Sequence, residues 1–173
     1  MNNELKFNYI KQHWQLRDGV VYTRWGNRPV AFSSKNKQGH RFTVIEINRK
    51  RHAVLIHNAI FMLHHDRAIA EDKEIHHKDG NPENNNIENL IELTDKQHRR
   101  IHFYQRNDPM RGIGLDSGAW RFRWLDDNGR QHGRAFHGIN EAMAFRDEIE
   151  EPRRAELRKL GLNCKRTNSQ MFN

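Results

Sequence analysis

The chain has a single cysteine, Cys164. That excludes an internal disulfide and a zinc ribbon of cysteines. Long apolar runs are missing as well: nothing approaches the roughly 18 consecutive apolar residues of a membrane helix. Met1-Asn2-Asn3-Glu4 shows no apolar stretch and no small-residue cleavage site, so no secretory leader is visible. These absences predict an intracellular protein without a membrane partner. Only 35% of the 173 residues are hydrophobic and 30% are charged. The core is therefore modest, suiting one ordinary domain or a small domain with a smaller module. Cationic charge and histidine are what the chain has in plenty. A net charge of +8 suits a polyanionic partner, because Lys and Arg on nucleic-acid phosphates release condensed counterions, although it also serves solubility. Twelve histidines direct attention to a metal or acid–base site.

Residues 1 to about 57 read as short strands and turns. Asp18-Gly19 between Trp14 and Tyr22 is a hairpin signal. Arg41 to Ile47 is rich in β-branched residues, Asn48 to Arg51 turns the chain, and His52 to His57 returns as a strand. Residues 58 to about 69 suit a helix with Ala59, Ile60 and Leu63 on one side. Glu74 to His77 is extended, Lys78 to Glu88 is a loop of Asp-Gly and asparagines, and Leu90 to Leu93 is a second strand. Thr94 and Gln97 make a capping box for a helix reaching about Gln105, and Asn107-Asp108-Pro109 stops it. From 112 to about 162 a separate unit begins. Trp120, Phe122 and Trp124 alternate with Arg121 and Arg123, Asp127-Asn128-Gly129 turns, and Gly133 to His137 returns. Asn140 caps a helix whose apolar stripe is Ala142, Phe145 and Ile149. Pro152 kinks this helix or starts a new one, which stops near Gly161. The tail from Asn163 is polar and loose.

His98 and His102, four residues apart on the capped helix, share one face and can close on one ion. Solvated helix histidines often show the same spacing. His76 and His77 are neighbours on a strand, so they point to opposite faces. One can face a metal while the other flanks a reacting phosphate. Strand, loop, strand and helix together make a ββα unit.

In Ile75-His76-His77-Lys78-Asp79-Gly80-Asn81, Asn84-Asn85-Asn86-Ile87-Glu88-Asn89-Leu90 and His98-Arg99-Arg100-Ile101-His102, the sequence resembles the HNH (ββα-metal) endonucleases. The resemblance implies a metal-dependent DNA endonuclease that hydrolyses a phosphodiester to a 5′-phosphate and a 3′-hydroxyl. It implies that His76, His98 and His102 hold one divalent ion, that His77 is the general base and that Asn89 staples the loop. Lys78 and Arg99 are candidate contacts to the DNA backbone. Members with this type of loop often carry Asp at the position of His76 and Asn at that of His98, so the ligand set here is closer to the His-x-x-x-His subgroup. Three imidazoles suit zinc, nickel, cobalt or manganese; Mg2+ prefers oxygen but is abundant, so Mg2+ or Mn2+ in turnover is expected, with Zn2+ admitted. His57, His64 and His65 read as structural.

The segment 112 to about 160 resembles the AP2 DNA-binding domain, on Gly118-Ala119-Trp120-Arg121-Phe122-Arg123-Trp124, Arg134-Ala135-Phe136-His137-Gly138 and Glu141-Ala142-Met143-Ala144-Phe145. Strand parity puts Trp120, Phe122 and Trp124 against the helix and Arg121 and Arg123 outward. Arg134 is expected to join them as a third reader of the major groove.

The fold expected is α+β. A strand-rich start and ββα core (about 73–106) form a nuclease domain over 1–108, followed by a three-stranded sheet with a helix over 112–162 and a tail over 163–173. The resemblance suggests a site-specific or homing endonuclease acting on double-stranded DNA. No obligate protein partner is evident, and the host cytoplasm is the expected place if a phage encodes the chain. The competing classes are a non-catalytic DNA-binding protein and an RNA-directed nuclease. A base beside a ligand disfavours the first, and a major-groove module disfavours the second.

Overall fold

A helix, α1 (Asn3–His13), opens the chain where the composition predicts strands and turns. The computed structural model describes residues 3–105 and 108–162, so Asn107, Cys164 and the tail expected from Asn163 lie outside the described residues. The helix forms on a sparse apolar stripe, with Phe7 and Ile10 buried three residues apart and Lys6 beside them. Lys6 reaches its buried position because Nζ donates to Ala53 O at 2.8 Å; burial lowers its pKa. Contacts divide the chain into two units, Met1–Arg99 and Arg100–Asn173, and the division falls inside one helix.

In the first unit β1 (Trp14–Arg17) and β2 (Val20–Thr23) form the expected hairpin. Asp18 and Gly19 both take positive φ, as a two-residue primed turn requires. Strands β3 (Ser34–Lys35), β4 (Arg41–Ile47) and β5 (Lys50–Leu55) make a sheet in that order. The β4–β5 turn is only Asn48-Arg49, both at positive φ, and tighter than the four-residue turn expected from the sequence. The return strand therefore starts at Lys50, and α2 (Ile56–His65) begins where the strand was expected to continue. Ile60, Met62 and Ala59 of α2 pack with Ile10, Val54 and Ile75 in one core. β6 (Lys73–His77) and β7 (Leu90–Thr94) pair antiparallel and lead into α3 (Asp95–Gln105). The capping box is present: Thr94 N donates to Gln97 Oε1 at 3.1 Å, and Gln97 N to Thr94 Oγ1 at 3.2 Å.

In the second unit β8 (Ile113–Asp116), β9 (Ala119–Leu125) and β10 (Gln131–Phe136) form an antiparallel sheet with β9 in the centre. Gly112 precedes it at φ +72°, where a Cβ would lie 2.8 Å from Arg123 O. The helix α4 (Ile139–Lys159) packs on one face, burying Ala142 and Met143 against Ile113 and Phe122. One expectation fails here: Gly138, not Asn140, is the N-cap, because the helix has already begun at Ile139. Of the two alternatives at Pro152, a new helix does not arise, since α4 runs through it as one helix. Arg146, Glu150 and Arg154 are buried at four-residue spacing along α4. Glu150 Oε2 accepts from Arg154 Nη2 at 2.9 Å and from Arg111 Nη2 at 2.6 Å. Among the described residues no helix is long and apolar enough to cross a membrane.

Candidate functional site

His76 pairs with Ile91 and His77 with Leu90 across the β6–β7 hairpin. Successive strand residues face opposite ways, and these two histidines do. His76 approaches His98, with ring centroids 5.2 Å apart. His77 lies on the other side, 4.9 Å from His57 and 5.3 Å from His40 by the same measure. Both are nearly buried, at 5% and 3% exposure.

On the first side, His76, His98 and His102 each offer a ring nitrogen, and these atoms lie within 4.8 Å of one another, close enough to hold a metal ion. The two helix histidines are aligned because one turn of α3 separates them. His98 Nδ1 is 2.6 Å from Glu74 Oε2. Glu74 shares the His76 side of β6 because two residues separate them. With Nδ1–H given to the carboxylate, the lone pair of His98 is on Nε2, the orientation in which imidazoles ligate metals. The donor set thus fits a divalent transition ion.

On the second side, His77 Nε2 is 3.1 Å from Asn85 Oδ1. The amide of Asn85 is oriented by Nδ2 donating to Glu83 O at 3.2 Å, so its oxygen faces the ring. Neutral His77 then carries its proton on Nε2 and its lone pair on Nδ1. Burial first, then the neighbouring imidazoles of His77 and His40, hold the pKa of His57 down to about 3. His57 is therefore neutral at ordinary pH.

Asn89 closes the loop between the strands. Its Oδ1 accepts from Asp79 N at 3.1 Å, and its Nδ2 donates to Asp79 Oδ1 at 3.0 Å and Asn84 O at 2.8 Å. The backbone N–H of Asn81 and the amides of Asn84 and Asn89 hold the Asp79 carboxyl below the usual carboxylate range. The loop is therefore stabilised above the ordinary carboxylate pKa, and this contribution is lost as pH falls through the lowered value. Lys78 Nζ donates to Glu88 O at 2.8 Å. Arg99 pairs with Asp95 one turn back on α3, Nε to Oδ1 at 2.9 Å.

In the second unit, Arg121 and Arg123 lie on the sheet face away from α4. They flank Asp116, with Nε at 3.4 Å and Nη2 at 2.8 Å from its Oδ2. Arg134 does not join them. It pairs with Phe122 across β9–β10, and paired residues share a face. Its guanidinium sits 4.5 Å from the Phe145 ring centroid of α4. The expectation ignored the register, which puts Gly133 and Ala135 opposite Arg123 and Arg121 instead.

Three residues of this neighbourhood carry no signal strong enough to be singled out from the sequence. Glu74 could have been placed by its parity with His76. Asn85 is one asparagine among several in the loop, and His40 lies far from the motif in sequence, in a turn where Asn36 Oδ1 accepts from its backbone N–H at 2.9 Å.

Residues 54–100 match the family model described as HNH endonuclease. That match, over part of the chain, supports a nuclease, a hydrolase acting on phosphodiester bonds. A solved structure of the HNH homing endonuclease I-HmuI, described for DNA binding and cleavage, is similar at 18% identity and a TM-score of 0.43, over 70% of this chain and 71% of that one. That likeness is loose, and the class rests on the sequence match. No curated protein matches the chain.

Because Asn85 is the side chain that orients His77, Asn85→Ala is expected to lower the cleavage rate about tenfold to a hundredfold at unchanged Mn2+ affinity of the His76, His98 and His102 group. Single-turnover cleavage together with Mn2+ titration checks it; a parallel loss of metal affinity would mean that Asn85 supports the fold of the site instead.

Proposed function

We propose that the chain is a metal-dependent endonuclease of double-stranded DNA. The observation that carries this reading is the pair of adjacent histidines on β6, one in a three-imidazole group with α3 and the other oriented by an asparagine. His76, His98 and His102 would hold one divalent ion, Mg2+ or Mn2+ in turnover, with Zn2+ admitted by the donor set. When bound, such an ion stabilises charge on the phosphate and on the departing 3′ oxygen. A DNA phosphodiester contains no internal nucleophile, so water must attack. His77 takes its proton on Nδ1, while Nε2–H stays on Asn85. Asn89 keeps the loop closed, which holds the His77 backbone in place. Hydrolysis in this sense leaves a 5′-phosphate and a 3′-hydroxyl. One such site per chain makes a monomer a nicking enzyme; a dimer could cut both strands.

The second unit serves as an AP2-like binding module in this reading, giving the enzyme a preferred site of the kind homing endonucleases need. Its sheet face away from α4 carries Arg121 and Arg123 over Gly133, whose missing side chain leaves room for their stems. The β-sheet presents both guanidiniums to the major groove. Arg121→Ala with Arg123→Ala is expected to weaken DNA binding and to lower the salt-dependence slope by about two, whereas Arg134→Ala leaves both unchanged. Fluorescence anisotropy over a salt series checks it; an equal loss in Arg134→Ala would move the interface to the other face.

The function itself is tested with supercoiled plasmid and genomic DNA incubated with Mg2+, Mn2+ or Zn2+, with and without EDTA. Strand breaks that depend on Mg2+ or Mn2+ and are abolished by EDTA are expected. DNA binding without breaks on either substrate, under any of the metals, would return the chain to the class of DNA-binding proteins.

A further inference from the structure

We infer that His40, His57 and His77 form a second metal site, for a zinc-class ion, and that an ion held there withdraws the base. The second half rests on the reading of His77 as that base. Three separate elements converge to build the group. His40 comes from the turn before β4, His57 from the first turn of α2 and His77 from the end of β6. One ring nitrogen from each lies within 4.8 Å of the other two. The rings pack on one another: His57 meets both others edge to face, and His40 and His77 are stacked.

Nδ1 of His57 is buried and has no hydrogen-bond partner among the described residues, in a residue only 3% exposed. A buried polar atom left in that state costs free energy, and coordination would relieve it. The donors are all imidazole, without a carboxylate. Such a set discriminates against Mg2+ and favours Zn2+, Co2+ or Ni2+, with water completing four-coordination around three protein ligands.

The consequence follows from the parity of β6. The group on the α3 side and this one share no ligand, but they hold adjacent residues. With Nε2–H engaged by Asn85, Nδ1 is the only lone pair on neutral His77. It can take a proton from water or bind a cation, not both. A chain with both groups loaded would be metallated and inactive.

The test is titration of metal-free full-length chain with Co2+ and with Zn2+. The variants are His40→Gln and the double variant His98→Ala with His102→Ala. His40 is half-buried in a turn, so its replacement spares the core, and circular dichroism verifies the fold. Two bound equivalents are expected in the wild type and one in either variant, with the two single-site Co2+ visible spectra summing to that of the wild type. One equivalent in the wild type, or two in His40→Gln, would overturn the site. Zn2+ added to Mg2+-supported cleavage is then expected to slow the wild type about tenfold or more, and His40→Gln much less, each against its own zinc-free rate. Equal slowing in both would place the inhibition elsewhere and remove the second half of the inference. Two equivalents bound without any slowing would support the site and count against His77 as the base, and cleavage surviving in His77→Ala would confirm that the base assignment is what failed.

Discussion

His77→Ala is expected to lower DNA cleavage about a hundredfold to ten-thousandfold, the range a positioned general base supplies. Binding of one divalent ion at His76, His98 and His102 should survive, because β6 directs the two histidines to opposite sides. The contrast is what makes the experiment informative. His102→Ala should also depress cleavage, but through loss of the ion, and excess metal should recover part of it. No metal concentration should rescue His77→Ala. Single-turnover rates on plasmid across a Mn2+ series separate the two patterns. Cleavage by His77→Ala at the wild-type rate would transfer the base role to another group.

Glu150→Gln is expected to destabilise the second unit by about 3–5 kcal/mol, the cost of leaving buried charge uncompensated. One carboxylate serves two guanidiniums there. Arg111 and Arg154 have side chains 8% and 2% exposed and meet Glu150 at 2.6 and 2.9 Å. Each also lies over a ring, Arg111 above Phe103 and Arg154 above Tyr104, which stabilises the cations without neutralising them. A glutamine amide at this position would keep the shape and an acceptor but remove the negative charge that both guanidiniums meet. Hydrogen exchange in α4 reports the unit separately from the rest of the chain. A loss below about 1 kcal/mol would show that water reaches these guanidiniums and screens them. Asp116→Asn is the control. Its pairs with Arg121 and Arg123 are exposed, so about 1 kcal/mol or less is expected.

The elements that the sequence announces are those whose signals are local. Thr94 and Gln97 cap α3 through atoms three residues apart, and Asp18-Gly19 meets the demand of its turn for positive φ. The spacing of His98 and His102, and the alternation of Trp120, Phe122 and Trp124, likewise need only one element to be read correctly. Failures begin where a second element decides. The α1 helix has a stripe of two apolar residues and a lysine, too thin to stand out until Ala53 O supplies the partner for Lys6. The side of Arg134 depends on which residue of β9 it faces, and strand composition does not give that register. His40 and His57 join His77 only after β4, α2 and β6 have folded together, and nothing in their sequence separations of 17 and 20 residues advertises it. At Pro152 the sequence leaves two alternatives open, and packing removes the new helix. A proline lacks one backbone donor but does not forbid a helix already held by its packed faces.

Because β6 sorts its side chains by parity, the hairpin also guards against its own misassembly. A slip of one residue in the pairing with β7 would exchange the two sides together. Ile75, now 6% exposed in the core, would turn toward the imidazoles of α3, and the Glu74 carboxylate would be driven into the apolar space that Ile75 left. The slipped form would lose burial and strand a charge at once. Wrongly wired nuclease centres are thereby made rare at the stage of folding, before any substrate is met, so Ile75 and Glu74 contribute accuracy of assembly as much as stability.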